Sequence, residues 1–227
     1  MINNLIELKN ISKTFLSGEK KINLFNNVNL KIKKGDLIAL VGPSGSGKST
    51  FLHILALLEE PNKGRIYLSK SDTGKMSESE KDKARREKIS IIFQNNNLLN
   101  DFTALENVLM PLYIKGHINQ KTKDKGLKIL TDVKLNKRVN HFPSELSGGE
   151  QQRVAIARSI ISDTNLILAD EPTGNLDRKT SKNVFNYFKS LQKKNKAIVF
   201  ATHNRELANM ADYKLSIFNS KLLRSNG

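Results

Sequence analysis

A glycine-rich segment between a predicted buried strand and a predicted helix constrains the fold more than any other feature of this sequence. The segment reads Gly42-Pro43-Ser44-Gly45-Ser46-Gly47-Lys48-Ser49, which is the pattern G-x-x-x-x-G-K-[ST]. The continuous apolar run Leu37–Val41 precedes it and indicates a strand that is buried on both faces. Lys48–Leu58 follows, with apolar residues at helical spacing. In this context the pattern predicts a phosphate-binding loop.

The residue types in this loop suit phosphate chemistry. Glycines let the backbone fold tightly, so that consecutive N–H groups point inward at phosphate oxygens. The helix that follows adds the positive end of its dipole. We expect Lys48 to reach the β- and γ-phosphates and Ser49 to supply a hydroxyl to Mg²⁺, and we place Thr50 in the same nucleotide-binding set.

A second apolar run ends in two acidic residues. Leu166–Ala169 predicts a buried strand, and Asp170 and Glu171 follow it directly. At a phosphoryl-transfer site, Asp170 would belong to the magnesium shell, and Glu171 would orient and deprotonate a water molecule. Two acids after a strand are also typical of loops and helix caps. The phosphate loop in the same chain favours the functional interpretation.

A third motif combines a helix cap with a pair of glycines. Ser147 followed by Glu150 three residues later is the capping-box pattern at the start of a helix. Gly148 and Gly149 add exposed backbone donors at that helix N-terminus. The segment therefore predicts a second anion-binding surface in the same chain.

Alternating strand and helix patterns define the fold class. They predict an α/β core with a mostly parallel sheet and an inserted helical lobe. With the phosphate-binding loop, we expect a P-loop NTPase core, and we expect the short strands of the first thirty-odd residues to form an N-terminal antiparallel β part. Residues 70–82 are polar and are predicted to form a surface loop. The remaining strands are predicted at Leu5–Leu8, Val28–Ile32, Ile89–Phe93 and Ala197–Ala201, and the helices at Thr103–Tyr113, Thr122–Val133, Gly148–Ser162, 179–194 and 204–211.

Composition excludes several kinds of site. The chain has no Cys, which excludes disulfides, thiolate metal sites and cysteine nucleophiles. Its longest unbroken apolar run is Ile54–Leu58, which is too short to span a membrane, and its N-terminus has no apolar signal core. We therefore expect a cytosolic chain that reaches a membrane through a partner.

The net charge of +16 has two competing explanations. A field of that sign attracts polyanions such as nucleic acids or anionic lipid. The excess, however, comes from 29 Lys against 9 Arg, with 25 Asn alongside, and A/T-rich codons produce the same bias. Because Arg is the better reader of phosphates and bases, its scarcity favours a solvated lysine-rich surface without specific nucleic-acid binding.

Taken together, the motifs resemble the nucleotide-binding subunit of ATP-binding-cassette (ABC) transporters. Besides the segments above, Gln94 follows the predicted strand 89–93, Asp177 ends the turn Asn175-Leu176-Asp177, and His203 follows a further strand. The resemblance implies one ABC ATP-binding domain over residues 1–227. Residues 1–96 and 164–227 would form its nucleotide-binding core, and 97–163 its helical signature lobe.

The resemblance also implies roles for these residues in a dimer. Two copies would hold two ATP molecules between them, and Ser147–Gly149 of one copy would contact the γ-phosphate bound by Lys48 of the other. Gln94 would be a magnesium ligand and would sense the metal and the γ-phosphate. Asp177 would cross the dimer interface, and His203 would hold the γ-phosphate.

Two positions depart from the family pattern. Phe15 stands where the family places an aromatic residue that stacks on adenine, usually Tyr, so the stacking face is kept and the hydroxyl is lost. Taken alone, Phe15 would more often be a core residue. Asn204 follows His203 at a position where the family often has an acid.

Longer segments resemble one subfamily, the ATPases of bacterial lipoprotein-releasing systems. They are Phe102–Val108, Pro143–Glu145 and Ala169–Asp177. This resemblance implies an ATP-hydrolysing subunit that works with inner-membrane permease subunits at the cytoplasmic face. ATPases of macrolide exporters and of the cell-division complex share the run Ala169–Asp177 and remain alternatives. ABC ATPases acting on DNA or ribosomes are a further alternative, which the single compact cassette disfavours.

Overall fold

The computed structural model describes residues 4–18 and 20–226, so the predicted domain range 1–227 begins and ends just outside it. The strands described are β1 (Asn4–Ser17), β2 (Lys20–Lys33), β3 (Leu37–Val41), β4 (Lys63–Leu68), β5 (Ser71–Asp72), β6 (Ile89–Ile92), β7 (Leu166–Asp170), β8 (Ala197–Ala201), β9 (Tyr213–Phe218) and β10 (Lys221–Asn226). The α-helices are α1 (Lys48–Leu55), α2 (Glu78–Lys88), α3 (Ala104–Ile114), α4 (Gln120–Asp132), α5 (Gly148–Ile161), α6 (Arg178–Gln192) and α7 (Arg205–Ala208). No helix in the described part of the chain is long and apolar enough to cross a membrane.

The strands form two sheets. An antiparallel sheet has the order β2-β1-β4-β5, and a six-stranded sheet has the order β10-β9-β3-β8-β7-β6. In the second sheet β9, β3, β8, β7 and β6 run parallel, and β10 pairs antiparallel with β9 at one edge. The predicted fold class, a mostly parallel sheet with an N-terminal antiparallel part and helices, is confirmed.

The central sheet separates two hydrophobic cores. Ile38 and Leu40 of β3 point into a core shared with the antiparallel sheet and α1. Leu37 and Ala39, the alternating residues, point into a second core shared with the helices α3 to α7. Because both faces are covered, β3, β8 and the first four residues of β7 are continuous apolar runs without the polar alternation of a half-exposed strand.

The prediction of a surface loop over 70–82 is wrong. Ser71–Asp72 is a short strand paired with β4, a 3-10 turn follows it, and α2 begins at Glu78. The Ser77 side chain accepts a hydrogen bond from the Glu80 N–H, and the Glu80 carboxylate accepts one from the Ser77 N–H, which completes a capping box. Only Ala84 of α2 is buried, so the helix has almost no apolar stripe and its sequence resembles a polar loop.

Other boundaries differ from prediction for local reasons. Helix α1 ends at Leu55 rather than residue 58, because Leu57 adopts the left-handed conformation with φ 58°. Helix α7 is a single turn inside the predicted range 204–211. The strands β4, β9 and β10 were not predicted, since each mixes polar and apolar residues and lies at or near a sheet edge.

Candidate functional site

The carboxyl ends of four parallel strands bring the predicted phosphate-handling residues to one edge of the central sheet. Leu40 of β3 and Asp170 of β7 are both in register with Ala201 of β8, and Ile92 of β6 is in register with Ala169. The segments that follow these strand ends carry the glycine-rich loop, Glu171, His203 and Gln94. This edge is where open α/β sheets bind ligands.

The backbone of the loop requires its glycines. Gly42, Gly45 and Gly47 have φ angles of 156°, 75° and 98°. A Cβ on Gly42 would lie 2.7 Å from Ser46 Oγ, and one on Gly47 would lie 3.0 Å from the Phe25 ring. Side chains are therefore disfavoured by conformation at all three positions, and at Gly42 and Gly47 also by close contacts, whereas the space around Gly45 is open.

The helix that begins at this loop lacks a side-chain cap. Its N-cap residue is Gly47, which makes no side-chain cap hydrogen bond, and its first turn contains no acidic residue. In the described chain the other six α-helices each have a capping side chain, supplied by Ser77, Thr103, Asn119, Ser147, Asp177 and Asn204. The first turn of α1 thus has N–H groups without a side-chain cap, which is the arrangement that anion sites at helix N-termini use.

Two side chains of the loop are ready to bind an anion. Lys48 is buried, and its Nζ donates to the carbonyl oxygens of Gly42 at 2.9 Å and Pro43 at 3.1 Å, which holds the ammonium at the loop. The buried Ser46 Oγ makes no hydrogen bond. Ser49 is exposed and Thr50 half-buried in the first turn of α1. A phosphate group fits this set of donors.

Glu171 has the environment of a general base. Its backbone has φ 46°, an uncommon conformation for a residue with a side chain, and its N–H donates to Ala201 O at 3.1 Å. Oε1 is buried without a hydrogen bond and lies 3.5 Å from His203 Nε2. Burial raises the pKa of the Glu171 carboxyl above its ordinary value, although the charge of His203 acts in the opposite direction.

The segment after β6 is held by α5, the helix that Ser147 caps. Gln94 is exposed there. Arg158 of α5 donates to the carbonyl oxygens of Asn96 at 2.8 Å and Asn97 at 2.7 Å. At 1.5 Å per residue, Ser147 lies roughly 16 Å along the axis of α5 from Arg158. The N-terminal end of α5 therefore carries the Ser147 motif, and the part near its C-terminal end holds the segment after β6.

The structure brings the glycine pair and the turn before Asp177 together in a second cluster. A Cβ on Gly149 would lie 3.3 Å from Asn175 O, whereas the space around Gly148 is open. Asp177 caps α6 by accepting hydrogen bonds from the N–H groups of Lys179 at 2.9 Å and Thr180 at 3.0 Å.

The capping box predicted at Ser147 is present. The N–H of Ser147 donates a hydrogen bond to Glu150 Oε2 at 2.9 Å. This hydrogen bond, together with Arg138, whose Nε lies 2.9 Å from Oε1, lowers the pKa of Glu150 to about 2. Arg138 also offsets the negative charge that the ionised carboxylate places beside an anion-binding turn.

The structure gives local roles to the two positions that depart from the family pattern. Phe15 lies on β1 with 38% of its surface exposed, so it is not a core residue. Asn204 is the N-cap of α7 and accepts a hydrogen bond from Leu207 N–H at 3.1 Å. The amide therefore has a capping function that an acid at this position would share.

Sequence reasoning missed one organising residue, Asn107. It is fully buried, its Oδ1 accepts from Leu99 N–H at 2.8 Å, and its Nδ2 donates to Leu99 O at 3.0 Å and Phe102 O at 2.8 Å. The available signal was a polar residue on the buried stripe of an apolar helix. Buried amides in such positions need partners, here the backbone of a loop.

The predicted magnesium ligands at the sheet edge suit the ion only together with a bound phosphate. In residues 4–18 and 20–226 there is no group of three or more His, Cys, Asp or Glu side chains that could hold a metal. Ser49, Asp170 and Gln94 offer oxygen ligands of the kind Mg²⁺ prefers, but too few for an octahedral shell. Phosphate oxygens of a nucleotide and water would complete it. The fold and the sheet-edge site define a P-loop nucleoside-triphosphatase.

Comparisons with known proteins identify the family. The family described as "ABC transporter" matches residues 25–174. The "Lipoprotein-releasing system ATP-binding protein LolD" of Rickettsia conorii is 47% identical over 218 residues, covering 95% of this chain and 96% of that protein. The protein of the same name from Treponema denticola is 43% identical over 223 residues, covering 98% and 99%. The chain belongs to the ABC transporter family.

A solved structure agrees with this assignment. The dimeric post-hydrolysis state of the ATP-binding cassette MJ0796 bound to ADP and Pi superposes with a TM-score of 0.92 at 38% identity, covering 97% of this chain and 98% of that one. The present chain is therefore an ABC-type ATPase, and ATP is its substrate. The predicted family, fold and enzyme class are confirmed.

Proposed function

We propose that two copies of this chain form a dimer that closes around two ATP molecules. The length of α5 supports this arrangement, because Ser147 and Gly148 lie at one end of the helix and Arg158, which holds the segment after β6, lies toward the other. Gly148 faces open space and can accept a phosphate from a second copy. The similar MJ0796 cassette is itself dimeric in its post-hydrolysis state, which adds support.

Within each copy, the loop residues 42–50 bind the phosphates, with Lys48 moving from its carbonyl partners to the β- and γ-phosphates. Ser49, Asp170 and Gln94 would hold Mg²⁺, which would supply neutralisation of the charge that develops on the phosphate oxygens. Phe15 stacks on the adenine with its exposed ring. Residues 1–227 act as one ABC domain, of which 97–163 is the signature lobe.

Hydrolysis begins at Glu171. Its buried, unpartnered Oε1 accepts the proton of the attacking water, and His203 holds the γ-phosphate close to it. The water oxygen forms a bond to the γ-phosphorus while the bond from that phosphorus to the β-phosphate oxygen breaks, and ADP is the leaving group. Loss of the γ-phosphate removes the link to Ser147–Gly149 of the other copy, and Asp177 releases its interface contact. ATP thereby favours the closed dimer, and departure of the cleaved phosphate favours the open one.

The membrane partner binds beside Gln94. Leu99 and Phe102 are 41% and 38% exposed on the loop that Asn107 organises, whereas Leu105 is half-buried against the helical core. Exposed apolar side chains next to a phosphate-sensing segment suit a contact that transmits the state of the site. We assign this surface to integral inner-membrane permease subunits, so the chain is peripheral at the cytoplasmic face.

We further propose that the complex releases lipoproteins from the inner membrane toward a periplasmic carrier. The observation that carries this proposal is the set of relatives named for lipoprotein release, which are 43–47% identical over 94–98% of the chain. The basic surface has no specific nucleic-acid partner in this proposal.

Affinity purification tests the proposal directly. Tagged Glu171→Gln chain, loaded with ATP, should retain a permease in mild detergent, and depletion of the chain should leave lipoproteins in the inner membrane. Phe102→Asp should lose the permease while the isolated chain still hydrolyses ATP. Phe218→Asp changes another exposed phenylalanine, 61% exposed near the β9–β10 turn, and should retain the permease.

Other results would redirect the assignment. Retention of a macrolide-type exporter permease or of the cell-division complex, with normal lipoprotein release, would contradict the lipoprotein proposal. Recovery of ribosomes or DNA in place of any membrane protein would contradict the transport function itself.

A further inference from the structure

A buried lysine lies beside the exposed ring of Phe15. Lys13 is only 7% exposed, and its Nζ donates to the Glu59 carboxylate and, at 2.7 Å, to the carbonyl oxygen of Glu60. A buried ammonium needs such partners, because its loss of hydration is costly. None of the phosphate-handling residues above contacts Lys13 through a hydrogen bond in the described structure, so its burial calls for another explanation.

The ammonium of Lys13 covers the Phe15 ring. Lys13 Nζ lies 4.9 Å from the ring centroid, within the range of a cation–π interaction. Both side chains lie on the same face of β1, two residues apart. The lysine therefore favours this orientation of the ring, and 38% of the surface of Phe15 stays exposed.

This pair is linked to the phosphate loop on two sides. Phe15 is in register with Ile22 of β2, and Leu24, two residues or about 7 Å further along that strand, packs against Gly47. Glu59, the partner of Lys13, follows α1, which begins at Lys48. Lys13 thus joins the strand of the aromatic ring to the segment that follows the C-terminal end of α1.

We infer that Lys13 is a positioning residue for nucleotide base binding, which acts by holding the Phe15 ring in its stacking orientation. The inference rests on the proposed role of Phe15. It assigns Lys13 no contact with the phosphates, so its contribution is confined to the base end of the nucleotide.

Comparison of ADP with pyrophosphate tests this role in the full-length chain. Both ligands occupy the phosphate loop, but only ADP carries a base, and neither requires hydrolysis. In Lys13→Met we expect the Kd for ADP, measured by calorimetry, to rise about fivefold and the Kd for pyrophosphate to stay within about twofold. Lys9→Met is the matched control: Lys9 lies on the same strand, 4.8 Å over the Tyr67 ring, and its loss should change neither Kd.

A double-mutant cycle keeps the inference testable if Lys13→Met also lowers stability. Phe15→Leu should weaken ADP binding about tenfold, and adding Lys13→Met should then have no further effect on ADP affinity. An equal loss for ADP and pyrophosphate, an effect that persists without Phe15, or no effect at all would overturn the inference. If Phe15→Leu itself leaves ADP affinity unchanged, the proposed adenine stacking fails as well.

Discussion

Replacing Asn107 with Ala removes a buried amide that organises the loop between β6 and α3. The loop carries Leu99 and Phe102, and it has few other anchors: Arg158 holds Asn96 and Asn97 upstream, and the capping box of Thr103 begins α3 downstream. The variant should therefore lower the stability of the whole protein and increase the exchange of amide hydrogens in this loop.

The structure gives the magnitude of this effect. The amide group accepts one hydrogen bond at Oδ1 and can donate two from Nδ2, so three are lost. At a net value of about 1 kcal/mol each, the free energy of unfolding should fall by about 3 kcal/mol. For a chain of this size the midpoint temperature should fall by roughly 6–12 °C.

Thermal unfolding and hydrogen exchange measure the two consequences. The midpoint should drop as stated, and exchange should rise mainly at the amides of residues 98–103. Asn186→Ala on α6 removes an exposed Asn from a helix and should leave the midpoint within about 2 °C. A shift in Asn107→Ala as small as in this control would refute the reasoning that the amide stabilises the loop.

Three further predictions concern the site. Glu171→Gln should bind ATP as the wild type does but release phosphate about a hundredfold more slowly, because the base is lost; turnover near the wild-type rate would contradict that role. Burial raises the pKa of Glu171, and the base acts when it is ionised, so the kcat of the wild type should fall on acidification at a higher pH than an ordinary carboxyl would give. A kcat that stays constant down to the usual pKa range of Glu would contradict this role of Glu171. Lys48→Ala should weaken binding of a fluorescent nucleotide about tenfold or more, and an unchanged Kd would remove its phosphate contact. A fourth concerns stability: the pKa of Glu150 is about 2, below its ordinary 4.5, so its stabilising effect is present above pH 4.5 and lost as the pH falls toward 2. The urea midpoint of Glu150→Gln should thus be below that of the wild type at pH 7, with a gap that narrows at pH 3, and a constant gap would exclude the linkage.

The parts of the site that could be predicted from sequence are those fixed by neighbouring residues. The loop around Lys48 is contiguous, and its strand and helix flanks are readable from apolar spacing. Asp170 and His203 could be placed together because parallel strands end at one edge, so position after a strand implies position at the site. Ser147 could be identified as a cap from a spacing of three residues.

What could not be predicted depends on distant pairs. Lys13 meets Glu59 across 46 residues, and Arg158 meets Asn96 across 62, with no local pattern to mark either contact. Helix α2 was missed for a different reason: its stability comes from caps and surface ion pairs, such as the one between Lys81 and Glu78, while apolar periodicity detects only buried faces.

The uncapped start of α1 makes the stability of this protein depend on its supply of nucleotide. In the described chain the other α-helices complete their own first turns, whereas the first turn of α1 is open to the phosphate oxygens of the proposed nucleotide. A ligand present at about 100 times its Kd adds roughly 2.7 kcal/mol to the stability of the folded state. Depletion of nucleotide would therefore lower the free energy of unfolding of this protein by a similar amount.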